Sequence, residues 1–351
     1  MILRTEKLIP FFVSLSHDSN GKAVLYDGSL DGEKVEVVIT ESKKDFCKAE
    51  IDRILEASSD RVEPICPHFG ICGGCDLLYM TRKRECEEKE KAFRGFFAEF
   101  PEVRFLPPVF PDRERSRIRA AFCRNGKAKG FFQKASHDVV NIGCCPLLDP
   151  ALNAILADLP ESGKVVSDDF LASDAIDVAG FRYHVGNDVF FQSNAESAAA
   201  LLEFVVRSAG DAAHVLDIYA GVGFFSKALE CKGRTVVAVE ENPKCLRYAR
   251  KNLKSAAYHN VKAEDAGYLL RNSNPGFAVI DPPRAGMTDK AFEVVSRLKP
   301  ARIVYVSCAI DKSIRDIRRF ADCGYRVSEA QLFDMAPATR HIETACLLER
   351  L

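Results

Sequence analysis

Apolar and polar positions alternate in short runs over the first part of the chain. "LIPFFVSLS", "GKAVLYDGSL" and "EKVEVVIT" are rich in β-formers and are separated by the turn clusters "DSNG" and "DGSLDGE". Several short strands within about 58 residues predict a small barrel of the OB type. The opening apolar run has no small-residue cleavage site after it and reads as a first strand, not a signal peptide. Further on, "TRKRECEEKEKAFRGFFAEF" predicts a charged helix over 81–100. "SRIRAAFCRNGKAKGFFQ" sets Asn125-Gly126 between two apolar runs, a strong hairpin signal. "LLDPALNAILADL" reads as the start of another helix.

From about residue 187 the pattern changes. "HVLDIYAGVGFFSKAL" is a buried strand, a glycine turn and a helix. "RTVVAVEENPKCLRYARKNL" repeats strand and helix, as do "FAVIDPPRAG" with "DKAFEVVSRL" and "ARIVYVSCAIDKSIRDIRRF". This alternation predicts a doubly wound α/β fold. The tail, "YRVSEAQLFDMAPATRHIETACLLER", reads as strand, loop, strand, and predicts a closing antiparallel hairpin at one sheet edge. Three units follow: 1–58, a β-rich central unit over 59–185, and 186–351. The helix near 81–100 is expected to pack on the third unit.

At 351 residues the chain is too long for one ordinary core. It has no apolar run of about 18 residues, so no membrane span is expected. Thirteen cysteines without a secretory signal read as thiols and ligands, not as a disulfide framework. Three of them crowd into "CPHFGICGGCD": Cys66, Cys72 and Cys75. Clustered thiols among glycines suit an iron–sulfur cluster, a zinc site or a redox pair. The net charge of −1 gives no global attraction to nucleic acid. Binding to RNA would need local patches, and "RERSRIR" (113–119) and "RDIRRF" (315–320) are the candidates, each also readable as a solvated basic face.

The turn "LDIYAGVGFF" carries Asp217, Tyr219, Gly221 and Gly223, and Glu240 ends the next strand. The glycines let backbone approach a ligand, and a carboxylate on the second strand suits ribose hydroxyls. A dinucleotide fingerprint needs glycine or alanine where this chain has Ser226, and an acidic residue before the glycines repels a pyrophosphate. S-adenosylmethionine has no phosphate and carries a sulfonium cation, so it fits better than NAD.

"VIDPPRAG" puts Asp281 at a strand's carboxyl end, where ligands of α/β sheets bind, with two prolines stiffening the loop. "VYVSC" ends the next strand with Cys308, and Glu343 lies at the end of the tail's loop beside an apolar strand. One thiol, one base and one methyl donor suffice to methylate carbon 5 of uracil. Thiolate addition at carbon 6 makes carbon 5 nucleophilic, and a base then removes its proton. A free thiol is only about 3% ionised at pH 7, so Cys308 requires activation.

"FFQSNAES", "LDIYAGVG", "DPPRAG", "VYVSC" and "DMAPATRHIE" together resemble the RNA uracil-5-methyltransferases, and "SSDRVEPICPHFGICGGCD" resembles their iron–sulfur branch, which includes the 23S rRNA enzymes. The resemblance covers nearly the whole chain. It implies a Rossmann-like S-adenosylmethionine-dependent domain, an N-terminal TRAM-like OB barrel and a small iron–sulfur domain. It makes Cys308 the nucleophile and Glu343 the proton acceptor. Gln192, Tyr219, Glu240, Asp265 and Asp281 fall on cofactor-contacting positions, beside Gly221 and Gly223 of the turn. Cys66, Cys72, Cys75 and Cys145 fall on the ligands of a [4Fe–4S] cluster, with Cys145 preferred to Cys144 because Pro146 follows it. The implied protein is a cytoplasmic monomer acting on RNA, on rRNA in preference to tRNA. Three positions depart from the family: Phe224 replaces Asn, Ala309-Ile310 replace Asn-Pro, and 336–339 read Ala-Pro-Ala-Thr. They motivate an alternative, an RNA-binding or assembly protein without catalysis. An NAD-dependent oxidoreductase is a third reading.

Overall fold

The computed structural model describes residues 1–351, the side chains of residues 162–165 excepted. Five strands of its largest sheet run parallel in the order Ala257–His259, Thr235–Val239, His214–Ile218, Phe277–Ile280 and Arg302–Ser307. The central strands are short and mostly apolar, Phe277–Ile280 entirely so, as burial on both faces requires. Glu343–Arg350 then pairs antiparallel with Arg302–Ser307, and Tyr325–Phe333 pairs antiparallel with Glu343–Arg350. The tail therefore forms the expected hairpin, but it is not the edge. Arg104–Phe105 adds one more strand, parallel to Tyr325–Phe333. Two residues carry no periodicity, so this strand has no sequence signal.

Helices cover both faces. Ile310–Asp322 buries Ile314, Ile317 and Phe320 on one side of the sheet. The Arg82–Phe97 helix, begun by Thr81, whose hydroxyl accepts the Arg84 N–H, packs there too, through Phe93 and Phe97. The charged helix expected to reach the third unit does so. Ala195–Ser208 and Phe224–Glu230 cover the other face. A two-stranded hairpin, Ala175–Val178 with Phe181–His184, shares that second core through Tyr183.

Residues 1–56 form a six-stranded sheet in which Phe46–Glu56 pairs with both Lys34–Ser42 and Ala23–Asp27. A four-stranded sheet follows, built on the antiparallel pair Arg119–Gly126 and Ala128–Phe132, with Asn125 and Gly126 at the turn. Its apolar face, with Phe122, Phe131 and Ile142, is packed against Cys66, Cys72, Cys75 and Cys145. No helix among the described residues is long and apolar enough to cross a membrane.

Candidate active site and cysteine cavity

Strand register brings the chemistry together. Ile280 pairs with Tyr305, so Asp281 and the end of the Cys308 strand leave the sheet at the same edge. Ser307 pairs with Thr344 in the antiparallel ladder. Continuing that register by one residue sets Cys308 opposite Glu343. A thiol and a carboxylate 35 positions apart in sequence thus face one cleft.

The electrostatics of this cleft are carboxylate-rich. Burial pushes the Cys308 thiol up to about 11, Glu343 and Asp281 add to the shift, and Arg284 opposes it. Glu343 is held well above the usual carboxylate range by burial and by Asp281. Asp281 is pushed up to about 7 by burial, Asp217 and Glu240. Arg284 is therefore the cation that favours a thiolate at Cys308, and it also reaches His341, 3.4 Å from its Nδ1. Sequence reading passed over Arg284. It stands three residues after Asp281 on the stiff Pro-Pro loop, which was its only available signal.

This arrangement sets the direction of a chemical test. In Arg284→Met the Cys308 thiol should react more slowly with iodoacetamide at a given pH. In Glu343→Gln it should react faster, because a negative neighbour is gone. Peptide mass spectrometry resolves Cys308 from the exposed Cys144, Cys231 and Cys323. Equal rates in all three proteins would show that these charges do not govern the thiol.

The glycine turn is built as a ligand-facing loop. Tyr219, Gly221 and Gly223 all have positive φ, at 67°, 54° and 85°. At Gly223 a Cβ would lie 2.9 Å from Leu253 Cδ2, so a larger residue would be both strained and crowded. Glu240 braces the loop by accepting the Gly221 N–H at 2.9 Å and the Asn242 N–H at 2.8 Å. Ser226 has a specific task. Its N–H and hydroxyl donate to Asp217 Oδ2 at 3.0 and 2.6 Å, while the buried Oδ1 has no partner. Burial pushes Asp217 up to about 7, the Ser226 bonds pull it down, and Glu240 adds to the rise.

Asp217, Glu240 and Asp281 therefore repel one another around the turn. Such a cleft suits a cationic ligand and disfavours a pyrophosphate, which supports the S-adenosylmethionine reading over the NAD reading. Gln192 is buried at the start of the segment leading to Ala195–Ser208. Asp265 is exposed, whereas Glu264 beside it is half-buried and its charge reaches Tyr219. Alternating acidic residues in "AEDAG" could not be told apart without that burial.

The departures have structural accounts. The Phe224 ring is buried in an aromatic cluster with Tyr183, Phe191 and Phe225, with ring centroids 4.9–5.6 Å away. Ala309 starts its helix with no side-chain cap. Ala338 is fully buried at φ 63°.

The four cysteines Cys66, Cys72, Cys75 and Cys145 line one small cavity with Gly74, Leu78, Arg117, Phe131, Ile142 and Pro146. Cys144 points elsewhere and is exposed. Burial and the neighbouring sulfurs push the Cys75 thiol up to about 12, and Cys72 and Cys145 also rise. Arg117 is the cation at this cavity and donates to the Gly74 carbonyl at 3.3 Å. Among the described residues no three His, Cys, Asp or Glu groups are gathered to hold a single metal ion.

Most arginines of the two basic stretches are engaged in ion pairs or hydrogen bonds within the chain, those of 315–320 at the surface. Arg113 pairs with Glu85, Arg117 serves Gly74, and Arg119 pairs with Asp169. Arg315, Arg318 and Arg319 pair with Asp316, Glu99 and Asp289. The distant pairs among these, such as Arg318 with Glu99, leave no trace in local composition.

Comparison with known proteins fits this geometry. Residues 265–351 match the family model of tRNA (uracil-5-)-methyltransferases, and residues 179–265 match the TRM5/TYW2 methyltransferase domain. The chain is 30% identical over 403 residues to 23S rRNA (uracil(1939)-C(5))-methyltransferase RlmD of Salmonella choleraesuis, covering 95% of this chain and 92% of the relative. The chain belongs to the RNA uracil-5-methyltransferase family. It is an S-adenosylmethionine-dependent RNA uracil methyltransferase. The family's Vibrio cholerae RlmD is 27% identical over 412 residues, covering 95% of this chain and 93% of that one. The fold is shared with Pyrococcus abyssi tRNA (uracil-54, C5)-methyltransferase, solved with S-adenosyl-L-homocysteine. That match has a TM-score of 0.76 at 20% identity and covers 99% of each chain.

Proposed function

We propose that the protein methylates carbon 5 of a uridine in 23S rRNA through a covalent bond between Cys308 and uracil carbon 6. The observation that carries this reading is the register that sets Cys308 opposite Glu343 and beside Asp281. The ribosomal substrate is favoured by similarity along nearly the full length of the RlmD enzymes.

Bound S-adenosylmethionine supplies an electrophilic methyl group. Gln192, Tyr219, Gly221, Gly223, Glu240 and Asp281 are the residues that would hold it, with Glu264 a better placed acid than Asp265. The unpartnered Oδ1 of Asp217 and the crowded carboxylates fit a cationic ligand. In the protein's own steps, the Cys308 thiolate adds to carbon 6 and the uracil ring takes up the electron pair. Arg284 offsets the negative charge that builds beside Cys308. After carbon 5 is methylated, Glu343 takes the carbon-5 proton. The carbon–sulfur bond then breaks and Cys308 leaves as a thiolate. The target base must leave its stack to reach Cys308, at a cost of a few kcal/mol. The six-stranded sheet of residues 1–56, which we assign as a TRAM-like barrel of the OB type, would offset this by contacts to flanking RNA. The central unit is assigned over 59–185 and the methyltransferase unit over 186–351.

The cysteine cavity fits a [4Fe–4S] cluster. Four buried thiols with one nearby arginine need a cationic metal centre to be held as thiolates, and four cysteines are the ligand set of such a cluster. Methyl transfer moves no net electrons, so the cluster would act as a staple for the fold. Cys75→Ser in anaerobically purified protein should lose most of its iron and visible absorbance. Its Tm should fall by on the order of 10 °C, because metal-binding energy is folding energy here. Iron content equal to the parent's would remove Cys75 from the ligand set.

The reading as a whole is tested with methyl-labelled S-adenosylmethionine and unmodified RNA, digested and analysed by mass. Labelled 5-methyluridine in 23S rRNA is the expected product. Label confined to tRNA would reassign the substrate.

A further inference from the structure

The proposed chemistry makes no use of Glu85, yet this residue is fully buried and heavily bonded. It lies in the first turn of the Arg82–Phe97 helix. Its Oε1 accepts the Ala338 backbone N–H at 2.8 Å and lies 2.8 Å from Lys89 Nζ and 2.9 Å from Arg82. Its Oε2 lies 2.6 Å from Arg113 Nε. Lys89, also fully buried, pairs with Asp334 at 2.7 Å, and Arg82 pairs with Asp334 at 2.8 Å. Burial alone would raise the Glu85 carboxyl, but Lys89, Arg82 and Arg113 outweigh it and hold the group down at about 2. Fully burying the charges of Glu85, Lys89 and Asp334 is costly, and an apolar filling is often no less stable. A role in specifying geometry is the natural reason to keep them.

What the network holds is the loop that leads to Glu343. Asp334 opens this loop just after the Tyr325–Phe333 strand, and Glu343 begins the next strand. Ala338, midway along it, has a backbone conformation that a residue with a Cβ seldom adopts. It is fixed from two sides. Its N–H donates to Glu85, and its carbonyl accepts from Asp76 N at 2.9 Å and Leu77 N at 3.0 Å. Asp76 directly follows Cys75, which lines the cysteine cavity. One strained residue therefore links the helix network, the cysteine loop and the Glu343 loop.

We infer that Glu85 is a positioning residue for Glu343, acting through Ala338, and that the same link ties the Glu343 loop to the cysteine-lined cavity. The inference rests on the reading of Glu343 as the base.

The experiment compares parent, Glu85→Asp, Glu85→Gln and Glu343→Gln as full-length, iron-loaded proteins. Each is given 23S rRNA fragments and S-adenosylmethionine. The readouts are kcat, KM for RNA, and the fraction of protein held in a denaturant-resistant complex with methylated RNA. Glu85→Asp keeps the charge that Lys89 and Arg82 need but withdraws the carboxylate from Ala338 by one methylene. It should lower kcat by about tenfold or more, leave KM near the parent value, and accumulate the methylated adduct. Glu85→Gln keeps an acceptor within reach of Ala338 and should retain more turnover per folded molecule. If it does not fold, Glu85→Asp alone carries the test.

Glu343→Gln is the reference for a failed base. If it accumulates adduct while Glu85→Asp turns over like the parent, the inference is wrong and the base assignment stands. If Glu85→Asp loses activity without adduct, in step with loss of fold by circular dichroism, Glu85 is structural only and the inference is again wrong. Absence of adduct in Glu343→Gln removes both readings.

Discussion

Cys308→Ala is expected to lose methyl transfer by a factor on the order of 10⁵ or more while still binding RNA. Removing a nucleophile from a site whose other groups act only with it costs nearly the whole chemical advantage. Among the described residues no substitute thiol takes the same register position. Cys308 is the thiol opposite Glu343, whereas Cys346 lies three residues into the same strand and is fully buried. The variant should also form no covalent complex with RNA. The check is single-turnover transfer of labelled methyl, together with RNA binding by filter retention. Turnover within about tenfold of the parent would rule out covalent catalysis of this magnitude. A binding protein without catalysis would show no transfer in either form, so the same pair of measurements separates the two classes.

Glu343→Gln is expected to slow release of product by roughly 10²–10⁴, the usual worth of a positioned base. Its effect falls on a different step. Addition of Cys308 and methylation of carbon 5 should still proceed, since neither needs a proton acceptor at Glu343. The protein should then stall, with methylated RNA attached to Cys308. Loss of the carboxylate also removes a charge that raises the Cys308 thiol, so addition should be no slower than in the parent. Quenched time courses that score bound and released methylated RNA separately would show this. Equal slowing of adduct formation and release would place the role of Glu343 before methylation, not after it.

Much of the catalytic unit was legible from short segments. The strand-turn-helix beginning at His214 is marked by an apolar run and by glycines whose left-handed backbone the turn requires. The hairpin at Asn125-Gly126 and the Asp-Pro-Pro platform were legible for the same reason: the residues that shape them are adjacent in sequence. Other features were not. "KAEIDRILEAS" has no clean alternation, yet most of it lies in the Phe46–Glu56 strand because two neighbours pair with it. Ser226 counted only as a missing glycine until its two bonds to Asp217 were seen. Arg284, Glu264 and Glu85 each gained a role from a partner brought near by folding.

Most elements, the turns, the candidate thiol and base, and the candidate set of cysteines could be read from the chain alone, since periodicity, φ preference and side-chain chemistry act within a few residues. The remainder came from packing in three dimensions. Pairing of Ser307 with Thr344 set Cys308 against Glu343, and folding gathered cysteines up to 79 positions apart around one cavity. Folding also paired arginines of both basic stretches with distant carboxylates, Arg113 with Glu85 and Arg318 with Glu99 among them. The physical reason is common to all three. Hydrogen-bond register, burial and Coulomb energy depend on distance in space, and residues far apart in the chain become neighbours only when the sheets and helices pack.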